Sequence, residues 1–170
     1  MKEFFIEVIS HEEKMIKFGE LLGQTLFDYD HDEDLKAVLV FFDGDLGVGK
    51  TTICKGIIRA FGYDGVVTSP TYNLVESYNQ GTIRAHHFDL YRLGSPEELE
   101  FIGIRDYFKR GDFCLIEWPD RGIGILPAPD LYLSIVAINE GREIKIESKT
   151  RVGELLLARL SSARENYLDL

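Results

Sequence analysis

The chain has 170 residues, of which 45% are hydrophobic and 12% aromatic, and its formal net charge at pH 7 is −10. This composition excludes a disordered chain and predicts a single folded domain over residues 1–170. The acidic balance argues against broad, non-specific binding to nucleic acid or to an anionic membrane, because both attract basic protein surfaces.

The N-terminal segment and the cysteines predict a cytoplasmic protein that does not enter a membrane. The opening segment, MKEFFIEVIS, carries glutamates within its apolar run, which is not the pattern of a signal peptide. No stretch approaches the roughly 18 apolar residues that a membrane helix needs. Cys54 and Cys114 lack metal-ligand spacing, so we expect both to be small core residues in a reducing compartment.

The elements predicted first along the chain are a strand, a long helix and a buried strand. Residues 3–8 alternate between apolar and polar side chains as in a short strand. Ser10 and Glu13 have the spacing of a capping box, and the apolar residues that follow predict a helix over 11–27. After a solvated acidic connector over 28–34, the apolar run AVLVFF indicates a central strand buried on both faces.

The rest of the chain predicts two hairpins, another buried strand and three helices. A helix is expected to end before Gly62, and Pro96 after Ser95 marks the start of the next one. The segments, in chain order, are a helix over 52–61, a hairpin over 73–90, a helix after 95, a strand over 112–118, a hairpin over 130–148 and a helix over 152–163.

A glycine-rich turn directly follows the central strand. Gly44, Gly49, Lys50 and Thr51 satisfy the pattern G-x-x-x-x-G-K-[ST], with Gly47 as an additional glycine. The glycines let backbone N–H groups surround an anion, and the next helix adds its positive N-terminus. The lysine of this motif reaches the β- and γ-phosphates, and the threonine hydroxyl is a ligand of Mg²⁺. The sequence therefore predicts an α/β fold with a P-loop NTPase core, in which a mainly parallel sheet carries antiparallel hairpins and helices on both faces.

Two acidic residues end predicted strands. Glu117 follows the apolar run FCLI, which is typical of a Walker B strand, and Asp89 ends the strand RAHHFD. A P-loop site needs a carboxylate that holds Mg²⁺ or its waters. We expect Glu117 in the magnesium shell and Asp89 at a magnesium-bound or attacking water.

Other polar features leave two interpretations open. The segment TSPTYN, over 68–73, fits either a switch loop that senses the γ-phosphate or a plain Ser-Pro turn. Arg92 fits either a contact with phosphate or a surface ion pair. His86 and His87 are adjacent, so they should face opposite sides of a strand and cannot converge on a metal. We expect one of these histidines to be packed and the other exposed.

The strings GDLGVGKTT, SPTYNLVESY, HFDLYRL and LIEWPDR occur in this order along the chain. Over residues 11–148 the set resembles the TsaE (YjeE) family, the P-loop ATPase component of bacterial tRNA threonylcarbamoyladenosine biosynthesis. The resemblance implies an enzyme that hydrolyses ATP to ADP with Mg²⁺ and joins a TsaD–TsaB pair. Hydrolysis would support repeated transfer of threonylcarbamoyl to a tRNA adenosine beside the anticodon, with tRNA contacted only through the complex.

The resemblance also implies roles for individual residues. It makes Lys50, Asp89 and Glu117 the predicted catalytic residues, and Thr51, Glu117 and Asp89 the predicted ligands of the metal. The residues expected to contact the nucleotide are Gly44, Asp45, Leu46, Gly47, Val48, Gly49, Lys50, Thr51, Thr52, Thr71 and Trp118.

The chain departs from the family pattern at two positions. Val48 stands where the family usually has alanine, and a larger apolar side chain there should be tolerated. Met15 stands where an N-terminal threonine is common. A contact between that threonine and the nucleotide base therefore cannot be carried over to this chain.

Three other functions are alternatives to this prediction. A small-molecule kinase would need a basic lid over the phosphates, and no arginine-dense segment follows the P-loop. A GTPase would usually carry N-K-x-D, and no asparagine of this chain precedes a lysine. A module whose nucleotide gates assembly without significant hydrolysis stays open. We expect the protein alone to be a monomer.

The net charge generates the first testable prediction. Because the chain carries −10 at pH 7, we expect the isolated protein to bind tRNA with a dissociation constant weaker than about 10 µM at physiological salt. Filter binding measures this directly. Tight binding of tRNA without partner proteins would instead favour a direct RNA-binding role.

Overall fold

The computed structural model describes residues 4–29 and 36–167, which are organised by one seven-stranded sheet. The strands are β1 (Phe4–Ile9), β2 (Val38–Asp43), β3 (Val75–Gln80), β4 (Ile83–Asp89), β5 (Asp112–Glu117), β6 (Leu131–Ile138) and β7 (Gly141–Ser148). Their spatial order is β1-β7-β6-β2-β5-β4-β3. The central strands β6, β2, β5 and β4 are parallel, whereas β1, β7 and β3 pair antiparallel with their neighbours. The predicted α/β fold with a parallel core and two hairpins is confirmed.

Helices flank the sheet unequally. The helices are α1 (Glu12–Phe27), α2 (Lys50–Ala60), α3 (Glu98–Phe101) and α4 (Arg151–Glu165). The three long helices α1, α2 and α4 pack on one face, against the side chains of alternate strand residues. The other face is covered by the single turn of α3, a 3-10 helix over Ile104–Tyr107 and the neighbouring loops. None of the described helices combines the length and the apolar character that a membrane span requires.

Strand β2 lies in the middle of this arrangement and is buried on both faces. Val38, Val40 and Phe42 belong to the core under the long helices, and Leu39 and Phe41 belong to the core on the opposite face. This burial confirms the central strand predicted from the continuous apolar run. The two cysteines follow the same division, since Cys54 lies in the first core and Cys114 in the second, and both are free thiols.

Helices α1 and α2 lie close together because glycines face each other where they cross. A Cβ atom at Gly19 would lie 2.4 Å from the carbonyl oxygen of Ile53, and one at Gly56 would lie 2.3 Å from that of Ile16. Both distances are far shorter than a carbon–oxygen contact allows, so only glycine permits this approach. Because α2 begins at Lys50, the packing also fixes the helix that follows the P-loop.

The start of α1 differs from the prediction. The helix begins after His11, and no side chain caps it, so Ser10 and Glu13 do not form the predicted capping box. The acidic first turn of Glu12 and Glu13 interacts favourably with the positive end of the helix dipole instead. Of the acidic connector predicted over 28–34, residues 30–34 lie outside the described part of the chain.

The helix predicted after Ser95 is limited to one turn. Glu98 turns back and accepts hydrogen bonds from the backbone N–H groups of Gly94 and Ser95, each at 3.0 Å. Gly103 then adopts a left-handed conformation with φ +68°, which a regular helix cannot continue through. The chain therefore continues into the short 3-10 helix over Ile104–Tyr107 and does not form a long helix on this face of the sheet.

Replacing Gly56 with alanine tests the close approach of α1 and α2. Alanine normally favours a helix over glycine by about 1 kcal/mol, but here its Cβ would collide with a backbone carbonyl. We expect Gly56→Ala to lower the free energy of unfolding in urea by about 1–3 kcal/mol. The control Gln24→Ala, at an exposed position of α1, should change it by less than about 0.5 kcal/mol. A stabilised Gly56→Ala protein would contradict the packing.

Candidate active site

The P-loop leaves the carboxyl end of β2 and leads into α2. Gly44, Gly47 and Gly49 have φ values of +148°, +76° and +117°, which residues with a side chain rarely adopt. A Cβ at Gly44 would also lie 2.5 Å from the carbonyl oxygen of Ile135. Gly49 is the N-cap of α2, and no side chain caps this helix. The N–H groups of its first turn therefore suit an external anion.

Lys50 is held at the mouth of this loop. Its Nζ donates to the carbonyl oxygens of Gly44 and Asp45, at 2.5 and 2.9 Å, and lies 4.1 Å from the centre of the Trp118 ring. Burial lowers the pKa of Lys50, and nearby carboxylates oppose that shift. An ammonium group has three N–H donors, so one remains for a ligand that displaces the indole.

Glu117 ends β5 and is joined directly to the first turn of α2. The Thr51 hydroxyl donates to Glu117 Oε1 at 2.8 Å. Strands β5 and β2 are parallel, with Glu117 opposite Phe42, so both end at the same edge of the sheet. Glu117 is only 2% exposed. A hydroxyl and a carboxylate in contact at this edge provide the oxygen atoms that Mg²⁺ prefers as ligands.

Asp89 ends β4 and lies opposite Glu117 in the β4–β5 pairing. Its Oδ2 accepts a hydrogen bond from the Ser69 hydroxyl, and its Oδ1 accepts one from the backbone N–H of Tyr91 at 3.0 Å. Ser69 Oγ also lies 3.1 Å from Thr71 Oγ1. The segment 68–73 therefore contacts the candidate catalytic acid, which favours the switch-loop interpretation over a plain turn.

These groups surround one cavity of about 280 Å³. Most of the residues singled out in the sequence line it, namely Leu46, Gly47, Gly49, Lys50, Thr51, Thr52, Thr71, Asp89, Glu117 and Trp118. Gly44, Asp45 and Val48 do not. The first two contribute the carbonyl oxygens that bind Lys50, and Val48 is buried. The lining also includes Ser69, which is the first residue of the SPT segment, and Tyr91, which lies two residues after Asp89 in the HFDLYRL string.

A second cavity, of about 200 Å³, shares Gly47, Gly49 and Thr52 with the first. Arg142 lines it and donates from Nε to the carbonyl oxygen of Val48 at 2.9 Å, so it braces the P-loop. Met15 lines the same cavity. Where the family resemblance anticipates a threonine hydroxyl, this cavity therefore presents an apolar thioether.

Both histidines of β4 are buried, so the expectation of one exposed histidine was wrong. They do face opposite sides of the sheet, as predicted. His86 Nδ1 is 2.8 Å from the Ser77 hydroxyl and its Nε2 is 3.1 Å from Asp112, whereas His87 Nε2 is 2.7 Å from Glu117. Burial is tolerated because each ring has a polar partner. His87 was missed as a neighbour of the site because only the parallel pairing of β4 with β5 brings it there.

Arg92 does not line either cavity at the P-loop. Its guanidinium lies 4.6 Å from the centre of the Tyr72 ring, and both side chains are exposed. The contact is a surface cation–π pair, which was neither of the two interpretations drawn from the sequence.

Comparison of the sequence with known protein families identifies the family of this chain. The profile of the family described as Threonylcarbamoyl adenosine biosynthesis protein TsaE matches residues 9–145. The chain belongs to the TsaE family. The family resemblance drawn from the four motifs is thus confirmed, and the matched range includes both the P-loop and the strand that ends at Glu117.

The similarity extends to individual TsaE proteins of named bacteria. The tRNA threonylcarbamoyladenosine biosynthesis protein TsaE of Haemophilus influenzae is 43% identical over 160 residues, covering 94% of this chain and 99% of that protein. The Bacillus subtilis protein of the same name is 36% identical over 120 residues, covering 70% and 75%. The crystal structure of Bacillus subtilis YdiB superimposes with a TM-score of 0.73 at 26% identity, covering 98% of this chain and 99% of that one.

Trp118 generates a prediction for this TsaE-family site. It is the only tryptophan in the chain. Its ring contacts Lys50 and also Tyr91, whose ring centre lies 5.0 Å from that of Trp118. We expect ADP with Mg²⁺ to produce a saturable change in tryptophan fluorescence, because a phosphate paired with Lys50 displaces the indole. Lys50→Ala should abolish the change, and Arg92→Ala should preserve it. A flat titration under conditions where calorimetry detects ADP binding would separate Trp118 from the nucleotide.

Proposed function

We propose that this TsaE-family chain is the Mg²⁺-dependent, ATP-hydrolysing component of tRNA threonylcarbamoyladenosine biosynthesis. It acts with a TsaD–TsaB pair in the cytoplasm, where its conversion of ATP to ADP and phosphate supports repeated threonylcarbamoyl transfer by the complex. The names of its relatives support the pathway. The observation that carries the hydrolytic part is the hydrogen bond between Thr51 and Glu117 beside the P-loop lysine.

The described site fits a divalent cation. The Thr51 hydroxyl and the carboxylates of Glu117 and Asp89 line the same cavity, and all are oxygen ligands of the kind that Mg²⁺ takes. When bound there, Mg²⁺ supplies positive charge against the β- and γ-phosphate oxygens. Thr51 and Glu117 would hold the ion directly or through its waters, and Asp89 would hold one of those waters.

The P-loop and Lys50 bind the phosphates. The uncapped first turn of α2 offers backbone N–H groups, and the loop glycines leave room for a phosphate to approach them. Two donors of Lys50 hold the loop carbonyls, which keeps the third aimed at the cavity. Lys50 thereby pairs with the β- and γ-phosphates and stabilises the charge that develops during transfer.

Asp89 orients the attacking water. An ionised carboxylate has about four sites for hydrogen bonds, and Ser69 and the N–H of Tyr91 use two of them. The remaining sites accept a hydrogen bond from water, align it with the γ-phosphate and take its proton as the new P–O bond forms and the bond between the γ-phosphorus and the ADP oxygen breaks. Because Ser69 is also close to Thr71, the loop over 68–73 can couple this alignment to the γ-phosphate.

The structure gives less support to a small-molecule kinase. Among the described residues that line the cavity of about 280 Å³ at the P-loop, Lys50 is the only cation. A kinase lid would be expected to add basic groups that shield the transferred phosphate from water. A nucleotide-gated module without significant hydrolysis differs from the proposal only in turnover, so the rate measurement below separates the two.

Variants of the two acids and the lysine test the mechanism in the presence of TsaD and TsaB homologues. We expect Glu117→Ala and Asp89→Ala to retain ATP binding and to lower kcat at least about 100-fold, because they act on metal and water. Lys50→Ala should instead lose nucleotide affinity, because it removes the charge that meets the phosphates. Calorimetry and phosphate release measure the two effects.

The matched control for these variants is Glu165→Ala, at an exposed position near the end of α4. It should hydrolyse ATP like the unmodified protein. Normal turnover by Glu117→Ala or Asp89→Ala would remove that residue from the catalytic set. Absence of turnover by the unmodified protein with its partners would favour the nucleotide-gated module.

A further inference from the structure

Glu117 has a second buried partner that the mechanism above does not use. His87 is 0% exposed, and its Nε2 lies 2.7 Å from Glu117 Oε1. The same oxygen accepts the Thr51 hydroxyl at 2.8 Å. A carboxylate oxygen has two lone pairs, and these two donors fill them. Oε2 is therefore the oxygen of Glu117 that remains to face a cation or its water.

The hydrogen bond to Glu117 also determines the state of the His87 ring. A carboxylate oxygen only accepts hydrogen bonds, so the contact with Glu117 requires a proton on His87 Nε2. The other ring nitrogen, Nδ1, is buried and has no hydrogen-bond partner among the described residues. Burying an unpaired polar atom is unfavourable, whereas an apolar side chain in this core would avoid that cost. Within the described part of the chain, the one hydrogen bond of this buried ring is the one that Nε2 makes to Glu117.

We propose that His87 is a positioning residue for the Glu117 carboxylate. Its Nε2–H fixes the carboxylate so that Oε1 stays on Thr51 and Oε2 is presented to the metal. The inference rests on the proposed function, because the orientation of Glu117 affects metal affinity only if this carboxylate binds the metal. Partners that orient metal ligands in this way typically change metal affinity 10- to 100-fold when they are removed.

The neighbouring histidine provides a matched control. His86 lies on the same strand, is also buried at 7% exposure and also contacts a carboxylate, with its Nε2 3.1 Å from Asp112. Its ring faces the opposite side of the sheet and does not line the cavity. Replacing His86 therefore imposes a comparable loss of packing and hydrogen bonding without touching Glu117.

The test measures Mn²⁺ binding to the ADP-saturated protein by electron paramagnetic resonance, with Mn²⁺ as the probe for the Mg²⁺ site. Mn²⁺ binding to ADP without protein is measured separately and subtracted. We expect His87→Leu to weaken Mn²⁺ affinity about 10- to 100-fold, with ADP affinity in EDTA unchanged. His86→Leu should leave both affinities unchanged. In hydrolysis assays, His87→Leu should lower kcat and raise the Mg²⁺ requirement while KM for ATP stays constant.

Two amide variants keep the proposal testable if His87→Leu does not fold. The longer amide of His87→Gln can place an N–H where Nε2–H was, so it should retain Mn²⁺ affinity. The shorter amide of His87→Asn reaches only the Nδ1 position, so it should not. Equal affinities for these two variants, an unchanged affinity in folded His87→Leu, or an equal loss in His86→Leu would overturn the role of His87. Absence of ADP-dependent Mn²⁺ binding by the unmodified protein would instead overturn the proposed function.

Discussion

The hydrogen bond from Thr51 to Glu117 joins the first turn of α2 to the end of β5. It can form because β2 and β5 are parallel neighbours with Phe42 opposite Glu117, so the P-loop leaves the sheet beside the carboxylate. The next residue, Trp118, donates its N–H to the Phe42 carbonyl oxygen at 3.2 Å and places its ring over Lys50. The register of two strands thereby fixes the lysine, the hydroxyl and the carboxylate relative to one another.

The buried charges of the site favour a bound cation. Lys50, Asp89 and Glu117 are each at most 4% exposed, so one ammonium group is buried with two carboxylates. Screening by water is weak at such burial, and a polyphosphate would add more negative charge beside the acids. In the proposed function, the P-loop N–H groups and Lys50 would offset part of that repulsion, and a divalent ion between phosphate and carboxylates would offset the rest. An anion can therefore bind locally although the whole chain carries −10.

The sequence predicted those parts of the fold and site that local patterns encode. The continuous apolar run of β2, the glycines after it and the acids that end β4 and β5 were all readable, because burial, positive φ and strand ends each select residue types. The side-chain contacts of those acids could not be predicted from the sequence. His87 reaches Glu117 only because β4 pairs with β5, which no short pattern records, and Ser69 reaches Asp89 from the loop over 68–73. Ser10 matched a capping pattern, yet no side chain caps α1. The acidic first turn of this helix interacts with the helix dipole in the absence of a cap.

A crystal structure with Mg²⁺ and a non-hydrolysable ATP analogue tests the central claim most directly. We expect the Thr51 hydroxyl oxygen to be a ligand of the ion at about 2.1 Å. Glu117 Oε1 should still accept the hydrogen bond from Thr51, with Oε2 directed at the ion or one of its waters. The β- and γ-phosphates should contact Lys50 and the N–H groups of the P-loop. An analogue bound outside the P-loop, or an ion that neither Thr51 nor Glu117 approaches, would contradict it.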